Sequence, residues 1–144
     1  AENMAVKKAV SDIKALREEL VEIQGKILYV EGLVTRSFML GEPNPLAGWE
    51  DAFDGGDPVT DAEAYPPFDD VLATCREMRD ETVAWLETLT KADLDRSSAY
   101  VPEGWDATFG TWRLCLQYVA DHWYMHRGQL ADSRRVAGIG RMWV

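Results

Sequence analysis

Apolar residues recur along the first forty positions at the spacing of one helix face. Two registers repeat every seven residues, the first made of Val6, Ile13, Leu20, Ile27 and Val34 and the second of Ala9, Leu16, Ile23 and Val30. The glycines in this stretch are isolated and the first proline is Pro43, so nothing breaks the period. This apolar stripe predicts one continuous helix from about Ala5 to Leu40, roughly 50 Å long.

The segment from Gly41 to Pro67 ends the helical period, because it carries five of the six prolines. Its aromatic residues Trp49, Phe53 and Tyr65 indicate a packed loop rather than a free linker. Acidic residues and glycines between Asp51 and Asp57 suggest a calcium loop, but their spacing does not match an EF-hand. A solvated acidic loop is therefore the favoured interpretation.

Two further helices follow. The second is predicted from near Pro67 to near Thr90, with its buried side formed by Phe68, Leu72, Cys75, Met78, Thr82, Trp85, Leu86 and Leu89. Thr90 and Asp93 resemble the cap of a short turn. The third helix is predicted from after Thr108 to about Ala137, with Gly138 as the residue that ends it. No segment has the period of a strand, so residues 1–144 are predicted to form a single all-α domain.

Composition narrows the function. The 144 residues carry a formal net charge of −10, which argues against binding to nucleic acids and to anionic membranes. No apolar run reaches the length of a membrane span, and the first residues do not resemble a secretory signal. Cys75 and Cys115 lie forty residues apart without a CxxC pattern, which predicts reduced thiols and a cytoplasmic location.

The two histidines provide the candidate chemistry. His122 and His126 are four residues apart on the third helix, so both imidazoles lie on one face. This spacing lets one helix offer two nitrogen ligands to a metal ion, and Gln129 lies where it could orient a ring. Two unrelated histidines are the alternative interpretation. No glutamate follows His122, so the HExxH pattern of metalloproteases is absent.

At this point the chain resembles a known family. The run from His122 through Trp123-Tyr124-Met125-His126-Arg127-Gly128-Gln129-Leu130 resembles the last helix of the DinB/YfiT-like superfamily, whose members carry an H-x3-H-R-G-Q-type segment. Thr108-Phe109-Gly110, the Leu86 to Leu94 stretch and Ile27-Leu28-Tyr29-Val30-Glu31 are weaker matches. The resemblance covers about residues 24–138 and implies a four-helix bundle.

The resemblance also implies a nickel or zinc site made by three histidines, two of which would be His122 and His126. The third would come from the position that Lys26 occupies here. A protonated ammonium cannot ligate a cation. Either the two histidines hold a metal with another group, such as Glu22 or Glu31, or the site has lost its metal. Without a metal, both glutamates are expected at the surface, solvated or ion-paired.

The predicted first helix leaves no room for the loop that separates the family's first two helices. Three long helices make an incomplete bundle, so we expect a homodimer. In one arrangement the N-terminal part of the long helix occupies the missing position in a partner subunit, as a helix swap. A compact three-helix subunit whose long helix projects or forms a coiled coil is the alternative.

Two functions remain open from the sequence. One is a non-catalytic bundle that binds a small apolar or aromatic ligand, or a partner, through a vestigial or altered metal site. The other, implied by the resemblance, is a metal-dependent thiol S-transferase or hydrolase that uses His122 and His126 as ligands. In either case Trp112, Trp123 and Gln129 are predicted to line the pocket, with Tyr124 and Trp49 as further candidates.

Overall fold

The computed structural model describes residues 2–54 and 64–138. Their regular structure is helical apart from one isolated antiparallel bridge between Ser97 and Thr111. The helices are α1 (Glu2–Gly32), which continues as a π-helix over Leu33–Leu40, α2 (Glu50–Phe53), α3 (Phe68–Leu86), a 3-10 turn over Asp93–Asp95, α4 (Asp106–Phe109) and α5 (Trp112–Val136). The all-α prediction is confirmed for the described residues, none of whose helices is long and apolar enough to cross a membrane.

The long N-terminal helix is uninterrupted, as its stripe predicts. The backbone remains helical from Glu2 to Leu40 and changes only from α to π geometry after Gly32. It stops at Gly41, which takes a left-handed conformation with φ 71° and donates to the carbonyls of Arg36 and Ser37. The Thr35 hydroxyl donates to the Glu31 carbonyl at 2.6 Å in the first turn of the π segment.

The loop after α1 is packed, as its aromatic residues predict. Phe53 is buried, and its ring lies 5.3 Å from that of Trp49 and 5.5 Å from that of Tyr65, centre to centre. The Phe53 ring presses on α1 at Gly25, where a Cβ atom would come within 2.2 Å of it. Much of the acidic glycine-rich stretch considered as a calcium loop, residues 55–57, lies outside the described residues.

The other two predicted helices are present in the structure, but each is shorter than predicted. The second, α3, starts after Pro67 but ends at Leu86, four residues before Thr90. There the Thr90 amide and hydroxyl both donate to the Asp93 carboxylate, which forms the predicted cap. The third, α5, begins only at Trp112, because Thr111 caps it and residues 106–109 form α4 instead.

Both long partners pack on α1 and run in opposite directions. Arg17 stacks on Phe68 and Arg36 lies 3.6 Å from Glu81, so α3 is parallel to α1. Trp112 contacts the Met39 carbonyl and Ser133 contacts Glu19, so α5 is antiparallel to α1. The hydrophobic core lies along α1, in one cluster beneath α3 and the loop and another beneath α5.

Between α3 and α5 an open groove of about 480 Å³ remains. We call it the α3–α5 groove, and its lining is Thr35, Arg79, Thr82, Leu86, Leu116, Val119, Ala120, Trp123, Tyr124 and Arg127. The described part of the bundle therefore has three long helices, and no fourth helix among the described residues covers the groove between α3 and α5.

Candidate functional site

The two histidines meet on the inner side of α5. Nε2 of His126 lies 3.1 Å from Nε2 of His122, and the two rings stand nearly perpendicular at 84°. His126 is buried at 5% exposure, as its place in the apolar pattern of the third helix predicts, and His122 is partly buried. The four-residue spacing brings both rings to one face, where the nitrogens form a direct hydrogen bond.

The neighbouring glutamine fixes which nitrogen carries each proton. Nδ1 of His126 lies 2.6 Å from Oε1 of Gln129, and an amide oxygen can only accept, so this Nδ1 carries the proton. In the neutral ring Nε2 of His126 is then an acceptor, and Nε2 of His122 donates to it. Two turns of helix thus hold an ordered chain of donors and acceptors from His122 through His126 to Gln129.

Burial keeps the His122 ring neutral. Desolvation, together with a smaller effect of the nearby His126, lowers the pKa of His122 to about 4. The ring also lies parallel to that of Tyr118, with centroids 5.9 Å apart and 14° between planes. At neutral pH this imidazole is therefore uncharged, in contact with an aromatic ring on one side and with His126 on the other.

Lys26 lies on α1, on the wall of the same cavity as the two histidines. Its ammonium donates to Oε1 of Glu22 at 3.0 Å, one turn earlier on the helix, and both side chains are largely buried. Glu22 is thus ion-paired, as expected, although it is less exposed than a surface residue. The pair neutralises the charge of Lys26 and leaves its other N–H groups as donors.

These residues open onto a cavity of about 420 Å³ between α1, α5 and the loop preceding α5. We call it the histidine cavity. Aromatic side chains form much of its wall, namely Phe38, Phe53, Trp105, Phe109 and Tyr118. Other apolar contacts come from Val30, Leu33, Val34, Pro102 and Met125, and the polar groups are Lys26, Asp54, His122 and His126. Phe109 packs edge-on against both Phe38 and Tyr118. The arrangement is an apolar chamber with a few polar groups on its wall.

The tryptophan and tyrosine residues predicted to line the pocket do not line the histidine cavity. Trp112 lies in the core, where its indole donates to the Met39 carbonyl at 3.1 Å and its ring packs against that of Trp85, with centroids 5.7 Å apart. Trp123 and Tyr124 line the α3–α5 groove, and Trp49 packs on Phe53. Gln129 does not line the cavity either; it accepts a hydrogen bond from Nδ1 of His126, which does. The difference arises because adjacent α5 residues are turned by about 100°, which separates Trp123 from His122.

The structure also buries Glu31, which the sequence predicts at the surface when no metal is bound, and brings it into contact with Arg79 and Trp123. Glu31 is 1% exposed, and its Oε2 accepts from Arg79 at 2.8 Å and from the Trp123 indole at 3.1 Å. Its Oε1 has no hydrogen-bond partner among the described residues. The burial could have been anticipated, because Glu31 follows Ile27 by four residues and precedes Val34 by three on the buried side of α1.

The histidine pair by itself has the geometry of two metal ligands. Ligand nitrogens about 2.1 Å from one ion in tetrahedral geometry are separated by roughly 3.4 Å, close to the observed 3.1 Å. However, no group of three or more histidine, cysteine, aspartate or glutamate side chains suitable for a metal occurs within residues 2–54 and 64–138. Glu31 is bound to Arg79, and Lys26 cannot replace the missing ligand while protonated. The described residues therefore do not complete a metal site.

Fold and site together define an all-α bundle with an inward-facing histidine pair on its last helix. The family model of the DinB superfamily matches residues 13–130, from within α1 to near the end of α5. The chain belongs to the DinB superfamily. No match was found among curated proteins, and none among solved structures.

Proposed function

We propose that this protein is a non-catalytic member of the DinB superfamily that binds a small ligand in the histidine cavity without a metal. The observation that carries the proposal is the polar side of that cavity. Lys26 is paired with Glu22, and the nitrogens that would face a metal are already hydrogen-bonded to each other. These groups satisfy one another within the protein, so the cavity does not need a cation to neutralise it.

The walls indicate the chemical class of the ligand. Phe109, Tyr118 and Trp105 offer flat aromatic surfaces, which favour a ring or an apolar body of similar thickness. Lys26 retains N–H donors, so a ligand that places a carbonyl, hydroxyl or carboxylate oxygen beside it gains a hydrogen bond. We therefore expect a small aromatic molecule with one acceptor group.

Two measurements test this function. Metal content of untagged protein, before and after dialysis against nickel or zinc, is expected to stay well below one ion per chain in wild type and in His126→Ala. Binding of the aromatic anion 1-anilinonaphthalene-8-sulfonate, followed by energy transfer from tryptophan, is expected to saturate. Stoichiometric metal that disappears in His126→Ala would contradict the proposal.

A matched pair of lysine variants makes the binding test specific. Lys26→Met removes the cavity donor, and we expect it to weaken binding of the probe about tenfold, the effect of losing one charge-assisted hydrogen bond. Lys14→Met removes another lysine of α1, which lies 3.9 Å from Glu18 on an exposed surface, and should leave binding unchanged. Equal loss in both variants, or in neither, would show that the probe does not occupy the histidine cavity.

One observation favours a second candidate, a metal-dependent thiol S-transferase or hydrolase. Gln129 already holds His126 in the tautomer whose Nε2 lone pair can ligate a metal, an arrangement frequent around metal-bound histidines. A bound nickel or zinc ion would supply Lewis acidity. Only His122 would have to move its proton to Nδ1 to become the second ligand. The metal analysis above discriminates between the two candidates.

The two free cysteines support a proposal about location. Cys75 and Cys115 are both free thiols, and Cys115 is fully buried. We propose a cytoplasmic protein, because unpaired thiols persist in a reducing compartment.

A further inference from the structure

The charged side chains that line the α3–α5 groove have the sign opposite to that of the whole chain. The sequence has 25 acidic and 15 basic residues and a formal net charge of −10. The groove is lined by two arginines, Arg79 and Arg127, and none of its lining residues within the described part of the chain is acidic. An anion is therefore attracted locally to this groove, on a protein whose net charge repels it.

Both arginines lie toward one end of the groove. Since α3 and α5 run in opposite directions, Arg79 lies level with Trp123, and Arg127 follows Trp123 by one turn of α5. Leu86 lies seven residues beyond Arg79 on α3, and Leu116 lies seven residues before Trp123 on α5, so these leucines mark the other end. The α5 side of the groove spans roughly 16 Å from Leu116 to Arg127 at the rise of an α-helix. The groove is thus cationic at one end and apolar at the other.

The protein already holds the guanidinium of Arg79 in a fixed position. Its plane of donors stacks on the Trp123 ring, 4.1 Å from the ring centre, and one nitrogen lies 2.8 Å from Oε2 of buried Glu31. A guanidinium has five N–H donors, and the side chain remains 35% exposed, so donors are left for a second carboxylate. Because the side chain is ordered before any ligand arrives, binding costs little further conformational entropy.

We propose that the α3–α5 groove binds an aliphatic carboxylate, with its head beside Arg79 and Arg127 and its hydrocarbon chain along Leu86, Leu116 and Val119. A guanidinium can donate two parallel hydrogen bonds to a carboxylate. The apolar end is aliphatic, which favours a flexible chain rather than the flat ring expected in the histidine cavity. The volume of about 480 Å³ is that of a small-molecule site. Groove and cavity share no lining residue, so this site does not rest on the proposed function.

The test is a titration of the full chain with decanoate, followed by NMR of the tryptophan indole N–H groups. Trp123 lines the groove and Trp105 lines the histidine cavity, so their two signals, assigned with Trp123→Phe and Trp105→Phe, report on the two sites separately. We expect a saturating shift of the Trp123 signal and no shift of the Trp105 signal. Decyltrimethylammonium, which has the same chain length and a positive head, is expected to bind at least about tenfold more weakly. No saturation, equal affinity for the two probes, or a shift of Trp105 alone would overturn the proposal.

Variants at exposed positions of α5 locate the head and the chain of the probe. Arg127→Gln is expected to weaken decanoate binding about tenfold, and Ala120→Trp, which fills the groove, is expected to abolish it. Both positions are exposed, so each variant should fold by circular dichroism. Arg135→Gln, which changes an exposed arginine of the same helix paired with Asp132, is the matched control and should bind as wild type does, as should Lys26→Met in the histidine cavity. Wild-type affinity in Arg127→Gln, or weaker binding in Lys26→Met alone, would overturn the proposal.

Discussion

Nε2 of His122 lies 3.1 Å from Nε2 of His126, and Gln129 holds the other nitrogen of His126 at 2.6 Å. The three side chains occupy successive turns of one face of α5, so their order along the helix is also the order of the hydrogen bonds. This relationship sets which nitrogen of each neutral ring carries the proton and gives the candidate site several properties that can be measured.

The first is the pKa of His122, which burial lowers to about 4 from an ordinary value of 6.5. Between these values the unfolded chain binds a proton that the folded chain does not. The stability present above pH 6.5 is therefore lost progressively as the pH falls toward 4. Nitrogen NMR of metal-free protein should show one imidazole neutral at pH 5.

Urea unfolding gives the thermodynamic form of this prediction. The free energy of unfolding should fall less between pH 7 and pH 4.5 in His122→Asn than in wild type, because asparagine does not titrate. Equal pH dependence in the two proteins would show that this histidine titrates normally.

The second property is the tautomer of His126. Replacing Gln129 by Ala removes the acceptor at Nδ1, and we expect a loss of about 1 kcal/mol in the free energy of unfolding together with a change in the nitrogen NMR shifts of the ring. Gln117→Ala removes a glutamine from the same helix whose amide donates to exposed Asp121. This control should leave both imidazole spectra unchanged; if Gln129→Ala also leaves them unchanged, Gln129 does not set the tautomer.

The third prediction concerns the buried pair of Glu31 and Arg79. Arg79→Ala leaves a carboxylate at 1% exposure without its cation, and we expect a loss of about 3 kcal/mol or more in the free energy of unfolding. Arg135→Ala breaks the exposed pair with Asp132, also 2.8 Å long, and should change it by less than about 1 kcal/mol.

A double variant checks the cause. Adding Glu31→Gln to Arg79→Ala removes the buried charge while keeping an oxygen for the Trp123 indole, so much of the lost stability should return. No recovery in the double variant would mean that the packing of Arg79 on Trp123, with its guanidinium 4.1 Å from the ring centre, matters more than the charge.

The sequence predicted most of the fold because the information is local. The stripe from Val6 to Val34 has a strict period, and Gly138, with φ 73°, ends the last helix as its position indicates. The π geometry after Gly32 was not predicted, since hydrophobic periodicity does not distinguish α from π geometry over eight residues. The observed helix ends differ from the predicted ones by a few residues where two residues can each cap the helix. The last helix was predicted to begin after Thr108, whereas Thr111 caps it.

The candidate site was only partly predictable. Spacing alone brings His122 and His126 together, because four residues make about one helical turn. The aromatic wall of the histidine cavity combines Phe38 from α1 with Phe109 from α4, and such long-range contacts leave no periodic signal in the sequence. Residue type alone favours tryptophans as pocket residues, whereas the rotation of α5 turns Trp123 toward Glu31 and Trp112 into the core.

The last prediction uses two glycines that both lie within helices. At Gly25 a Cβ atom would stand 2.2 Å from the buried Phe53 ring, whereas at Gly128 nothing lies within 4 Å among the described residues. We expect Gly25→Ala to lower the free energy of unfolding by about 1–3 kcal/mol, because the ring must shift in a packed core. Gly128→Ala should raise it by about 0.5–1 kcal/mol, since alanine has less freedom in the unfolded chain. Thermal or urea unfolding of the two variants measures both signs, and a neutral Gly25→Ala would show that the loop carrying Phe53 does not pack firmly on α1.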